Sequence, residues 1–159
     1  MRFPLEAFEA VRQVVPAERP VSVRVSATDW IPGGWDLPQT IVFAQALEKL
    51  GCSAIHVSSG GNSLAQRIPV GPSYQVPLAR AVKASVGMPV IAVGLITGFE
   101  QAEAIVLTED ADMIALARAI LYDPRWPWHA AAQLGATVSA PNQYLRAQPY
   151  RFPTLLESE

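Results

Sequence analysis

Val90-Ile91-Ala92-Val93-Gly94, then Thr97-Gly98, then Phe99 to Leu107, then Asp112-Met113-Ile114-Ala115-Leu116-Ala117-Arg118: this succession decides the fold. The first run is short, apolar and β-branched, and it stops at a glycine. From Gly98 to Leu107, Phe99, Ala102, Ile105 and Val106 fall near helical spacing. The second apolar run, Asp112 to Leu116, stops at Ala117, and Arg118 opens another helical start. Strand, small residue, helix, strand, small residue plus arginine make a pair of βα units. A small residue where a parallel strand stops lets a ligand approach the backbone unobstructed. The N–H groups at the next helix start favour an anion, and Arg118 adds a charged fork for phosphate oxygens. Gly94, Ala117 and Arg118 are therefore candidate anion-binding residues. Two ordinary tight turns with a solvated arginine are the competing reading.

Working outward, Pro4 to Val15 reads as a helix with Leu5, Phe8, Val11, Val14 and Val15 along one face. Val21 to Val25 alternates as a strand, with valines on one face and Ser22, Arg24 and Ser26 on the other. Pro38 opens a helix to Leu50, with Asp36 as its N-cap and Gly51 ending it. Ala54 to Val57 is a second strand running into Ser58-Ser59-Gly60-Gly61, and a long connection leads to a helix from Gln75 to Val86. Trp126 to Leu134 is the last helix; from Gly135 no period is visible, and an extended tail is expected. The chain is thus one α/β domain over residues 1–159, a helix followed by four βα units. Apolar strands separated by helices imply a parallel sheet covered on both faces. An eight-stranded barrel typically needs about 250 residues. Four units fit an open four-stranded sheet or half of something larger. In eight-stranded barrels the last two units often build a phosphate site.

Composition narrows the function classes. Of 159 residues, 50% are hydrophobic and 16% charged, which is globular and not disordered. A net charge of −2 gives no global attraction to nucleic acid or anionic lipid. No apolar run approaches the roughly 20 residues of a membrane span. The start, Met1-Arg2-Phe3-Pro4-Leu5-Glu6, has no apolar signal core, and Cys52 stands alone, so a reducing cytoplasm is the expected setting. Cys52 beside Gly51 reads as a small packed residue.

Arg24 is the most informative residue outside the opening stretch. It sits mid-strand opposite the valines, where an unpaired buried guanidinium costs several kcal/mol. It must meet an anion, a carbonyl-rich ligand or water; a surface arginine on a half-exposed sheet face is the competing reading. Ser59-Gly60-Gly61 suits close approach of a flat or phosphorylated ligand, though such clusters are also generic loop chemistry. His56 and His129 have no Cys or carboxylate at metal-ligand spacing, so no metal site is expected. There is no nucleophile elbow, no G-x-G-x-x-G and no Walker loop. Of Trp30, Trp35, Trp126 and Trp128, two are expected to pack a helix against the sheet.

Taken together, Val23-Arg24-Val25-Ser26-Ala27, His56-Val57-Ser58-Ser59-Gly60-Gly61, Ala92-Val93-Gly94 and Ala115-Leu116-Ala117-Arg118 resemble the Old Yellow Enzyme family, and most closely its shorter, thermophilic-like xenoreductase branch. Asp123-Pro124-Arg125-Trp126 and Asn142-Gln143-Tyr144-Leu145-Arg146 extend the likeness. The resemblance implies an FMN-dependent NAD(P)H oxidoreductase of the ene-reductase type on a TIM barrel, of which this chain matches the C-terminal half, strands five to eight. By resemblance Arg24 reaches the flavin N1/O2 edge, and Gly94, Ala117 and Arg118 form the phosphate cradle, with Ala117 where the family often has glycine. Tyr144 and Arg146 resemble a Tyr-x-Arg segment that approaches a neighbouring subunit's active site. In the family the substrate-binding histidines and the proton-donating tyrosine lie in the N-terminal half. Neither His56 nor His129 matches them, so no catalytic residue is assigned. The resemblance therefore implies weak or absent FMN binding and no turnover by the isolated chain, with an enone-type substrate for the whole enzyme. A homo-oligomer or an N-terminal half is the expected partner. A non-catalytic half-barrel acting by self-association, or by binding that half, is the alternative.

Overall fold

Four parallel strands form, and neighbours in sequence are neighbours in space. In the computed structural model, which describes residues 1–158, these are β1 (Ser22–Ser26), β2 (Ala54–Ser58), β3 (Val90–Ala92) and β4 (Met113–Ile114). They lie in the order β1-β2-β3-β4, all pairs parallel. The helices are α1 (Arg2–Val14), α2 (Leu37–Lys49), α3 (Val76–Lys83), α4 (Phe99–Leu107), α5 (Arg118–Tyr122) and α6 (Trp126–Leu134). A doubly wound sheet reverses its strand order at a switch point. Here the order never reverses, as in the wall of an α/β barrel. The fold is half of a TIM barrel.

The expectation of a sheet covered on both faces is corrected by the register. Val23 pairs with Ile55 and Ile55 with Val90, while Val25, Val57, Ala92 and Ile114 form the next row of the same face. Ile55, Val57, Val90 and Ala92 are fully buried on this side, packed in one core with Leu47 of α2 and Ala79 and Val82 of α3. The other face carries the row Arg24, His56, Ile91 and Met113. Arg24 and Met113 are exposed and His56 and Ile91 half-buried. Apolar strands separated by helices led to the two-sided expectation; in a half-barrel the inward face stays open.

Local chemistry fixes the elements. Asp36 Oδ1 accepts from Gln39 N–H and Gln39 Oε1 accepts from Asp36 N–H, a reciprocal cap that starts α2. Glu48 at the end of α2 accepts from the Gly87 and Met88 amides at 2.6 and 2.7 Å, holding the turn into β3. Asp112 sets the β3–β4 register. Its N–H donates to Val90 O at 2.9 Å, its Oδ2 accepts from Val90 N–H at 2.8 Å, and Lys83 pairs with Oδ1 at 2.8 Å.

From Gly135 the chain is extended only in part, which corrects the expected tail. It forms β5 (Val138–Ala140), a 3₁₀ turn (Asn142–Ala147) and β6 (Leu156–Ser158), with β5 and β6 pairing in parallel. Ala132, Ala140, Leu155 and Leu156 make a second small core there. Strands of three residues are too short to show a period in sequence.

Candidate functional site

At the carboxyl ends of the strands lies a cavity of about 360 Å³ lined by all four residues singled out in the sequence, Arg24, Gly94, Ala117 and Arg118. Ser59, Tyr74, Gln75, Leu95, Ile96 and Thr97 complete its main walls, and no carboxylate is among the lining residues. Two guanidinium groups without a facing acid make the cavity electropositive, a setting for an anion. Arg118 is exposed and has no ion pair among the described residues.

Gly94 is required by its backbone. It sits at φ +122, and a Cβ there would lie 2.7 Å from Gln75 Nε2. Leu95 follows at φ +50, a conformation a side-chain-bearing residue rarely adopts. The N–H groups of Gly94, Leu95 and Ile96 make no hydrogen bond to any described residue. Consecutive amides left free in a turn of this kind form a concave nest for an anion. The sequence marked Gly94 through its place at a strand end. It gave no sign that the Leu95 and Ile96 amides would be left free beside it.

Arg24 meets only His56 across the strands. Its Nη1 lies 3.4 Å from His56 Nδ1 and 3.3 Å from Nε2. A neutral imidazole offers one acceptor nitrogen, so only one of these contacts is a hydrogen bond at a time. Burial, and secondly the Arg24 charge, hold the His56 pKa below its ordinary value. Neutral His56 leaves the guanidinium's positive charge undiminished on the open face.

Other candidates lie elsewhere. A Cβ on Gly60 would lie 2.8 Å from both Gln66 Oε1 and Ile68 Cδ1, so its open side is filled by its own loop and not offered to a ligand. Tyr144 packs edge-on to Trp128 at 5.5 Å and over the Arg125 guanidinium at 4.7 Å, in the C-terminal unit and outside the cavity. His129 Nδ1 pairs with Asp123 Oδ2 at 2.6 Å. Among the described residues no three His, Cys, Asp or Glu side chains are grouped to hold a metal. Cys52 is buried at 5% exposure and its thiol pKa is raised by that burial, which suits a packing role. Trp126 is buried against Phe99 of α4, their rings 5.1 Å apart, and its indole N–H donates to Thr97 O at 3.2 Å beside the cavity.

With this geometry in view, comparison with known proteins is decisive at the level of family. The sequence pattern of the NADH:flavin oxidoreductase / NADH oxidase family matches residues 1–136, and the chain belongs to that family. It is 46% identical over 128 residues to an NADPH dehydrogenase of Halalkalibacterium halodurans, covering 80% of this chain and 38% of that protein. It is 43% identical over 142 residues to an NADPH dehydrogenase of Listeria monocytogenes, covering 89% of this chain and 41% of that one. The chain thus spans about two fifths of the length of these relatives. Among solved structures, a 2-naphthoyl-CoA reductase superposes with a TM-score of 0.71 at 22% identity, over 85% of this chain and 21% of the other. A D-glucarate dehydratase from Agrobacterium tumefaciens gives 0.54 at 14% identity, over 99% and 38%. Both are TIM-barrel enzymes, and at these identities they speak for the fold alone.

The residues present fit the phosphate end of a flavin nucleotide. Three adjacent amides are free and a guanidinium without an ion pair among the described residues lines the same cavity, while the space beside Gly94 is filled by Gln75 and fixes the turn, not the ligand.

Proposed function

We propose that this chain supplies the phosphate and pyrimidine side of an FMN site in an NAD(P)H oxidoreductase of the ene-reductase type. One observation carries the reading: Arg24, Gly94, Ala117 and Arg118, far apart in sequence, line a single acid-free cavity at the carboxyl ends of barrel strands. Arg118 and the amides of Gly94 to Ile96 would hold the phosphate, with Ala117 keeping the wall low enough for it to approach. Arg24 would place a fixed positive charge at the flavin's N1/O2 edge, where a cation favours the reduced cofactor. FMN, when bound, supplies acceptance of a hydride from NAD(P)H and its delivery to an activated alkene. The carbonyl-binding and proton-donating groups are proposed to come from a surface that closes the open face over Arg24 and His56. That surface is an N-terminal half of the same fold. The lone, buried Cys52 accords with a cytoplasmic setting.

The test is reconstitution. The purified chain alone is expected to be colourless or weakly yellow and not to oxidise NADPH in the presence of an enone. Mixed with the N-terminal segment of a related NADPH dehydrogenase, it is expected to retain FMN and turn over. A stoichiometric yellow protein that reduces the enone by itself would overturn the division of labour.

A further inference from the structure

Two glutamine side chains grip the cavity's free amides from behind. Gln75, 4% exposed, donates from Nε2 to Val93 O at 3.1 Å and accepts at Oε1 from Ser59 Oγ at 2.6 Å. Gln101 donates from Nε2 to Leu95 O at 3.0 Å and to Ser73 Oγ at 2.7 Å. Its Oε1 accepts from the Thr97 and Gly98 amides at 3.0 and 3.2 Å. A carboxamide has two donor hydrogens and two acceptor lone pairs, so Gln101 is fully engaged.

The consequence follows from peptide geometry. In a planar trans peptide the C=O and the next N–H point in opposite directions. Gln75 holds the Val93 carbonyl, so the Gly94 N–H faces away from Gln75. Gln101 holds the Leu95 carbonyl, so the Ile96 N–H faces away from Gln101. These are two of the three amides that lack a protein acceptor. The grip also spans two residues in the left-handed region, Leu95 at φ +50 and Ser73 at φ +58. Such conformations persist where the surroundings over-determine them.

We infer that Gln75 and Gln101 are positioning residues that aim the Gly94 and Ile96 amides at the anion and tie them, through Ser59 and Ser73, to the β2–α3 connection. That the anion is FMN's phosphate rests on the function proposed above; the grip on the carbonyls stands on its own. Neither residue touches the ligand in this scheme. Both act through the backbone.

The variants separate this role from helix capping. Gln101→Glu keeps the acceptor contacts to Thr97 and Gly98, and with them the start of α4, but cannot donate to Leu95 O. In the nitrogen–proton NMR spectrum of the full chain without flavin, the Leu95 and Ile96 amide signals are expected to shift or broaden while the Thr97 and Gly98 amides stay as protected from exchange as in the wild type, with the thermal midpoint near that of the wild type. Leu95 and Ile96 signals unchanged from the wild type would mean that Gln101 only caps α4, and would overturn its positioning role. The second arm uses Gln75→Met, which keeps the packing against Gly94 and loses both hydrogen bonds. FMN and riboflavin affinities are compared by flavin fluorescence. The variant is expected to lower FMN binding about tenfold and leave riboflavin binding unchanged, the size of one lost charge-assisted contact. Equal FMN affinity in variant and wild type would overturn the role of Gln75. Should Gln75→Met fail to fold, the neutral Gln101→Met takes its place in this arm. A wild-type chain that does not distinguish FMN from riboflavin would defeat the phosphate reading, while the Leu95 and Ile96 amide signals would still decide the grip on the carbonyls.

Discussion

A phosphate monoester carries about one and a half to two negative charges near neutrality, and Arg118 is an exposed cation lining the cavity proposed to receive it. Arg118→Ala is expected to weaken FMN binding by about 1.5–3 kcal/mol, the range for hydrogen bonds to charged groups. Calorimetry checks it, and an unchanged Kd would reduce Arg118 to a surface residue. His56 yields a pH prediction. Its folded pKa lies below the ordinary histidine value because of burial and the Arg24 charge. The unfolded chain therefore binds more protons in the window between the two values, and stability rises with pH there. This contribution is complete above about pH 6.5 and is lost as pH falls through the lowered folded value. Urea midpoints of wild type and His56→Gln, taken from pH 7.5 to 5, are expected to converge toward acid; a constant gap would contradict it. Arg24, Gly94, Ala117 and Arg118, which the fold brings to one cavity, stood out in the sequence by their charge or small size. Gln75 and Gln101 did not, because a glutamine at a helix start looks like any polar helix residue. Only the fold shows which carbonyls it reaches.

At the scale of elements, β4 is two residues long although the sequence offers four apolar positions from Met113 to Leu116. Its pairing depends on Asp112, which satisfies the N–H of fully buried Val90 and is paired with Lys83. Asp112→Ala leaves that N–H without an acceptor and is expected to cost about 1–3 kcal/mol, read from urea denaturation. The Asp112 carboxyl is held below its usual range by the Lys83 hydrogen bond and then by the Val90 amide. Its contribution is present above the ordinary carboxylate pKa and disappears as pH falls through the lowered value. An acid limb identical in wild type and Asp112→Ala would argue against this. The four strands and the helices between them were readable because their periods are long enough to register. Which face of the sheet stays open was not, since helices between the strands imply cover on both sides and only the fold leaves Arg24, His56, Ile91 and Met113 off the core.

For the whole molecule, β1 and β4 are the edges of the four-stranded sheet, and each offers unpaired backbone groups. Exposed apolar side chains include Phe3 and Val14 on α1, and Leu107, Leu121 and Tyr122 on the helices that precede and follow β4 in the chain. An edge of this kind beside apolar surface is a template for association. Light scattering coupled to size exclusion is expected to find a dimer or larger species for the chain alone. A well-folded monomer at micromolar concentration would mean that the edges are protected within the chain.

The central claim, that the Gly94 turn and Arg118 hold the phosphate of FMN, is tested most directly by a nitrogen–proton NMR titration of the full chain with FMN and, separately, with riboflavin. Such a titration registers binding even when affinity is weak. The predicted result is saturable shifts at the Gly94, Leu95 and Ile96 amides with FMN, absent with riboflavin and absent in Arg118→Ala. Shifts that are the same for both flavins, or that leave those three amides unmoved, would contradict it.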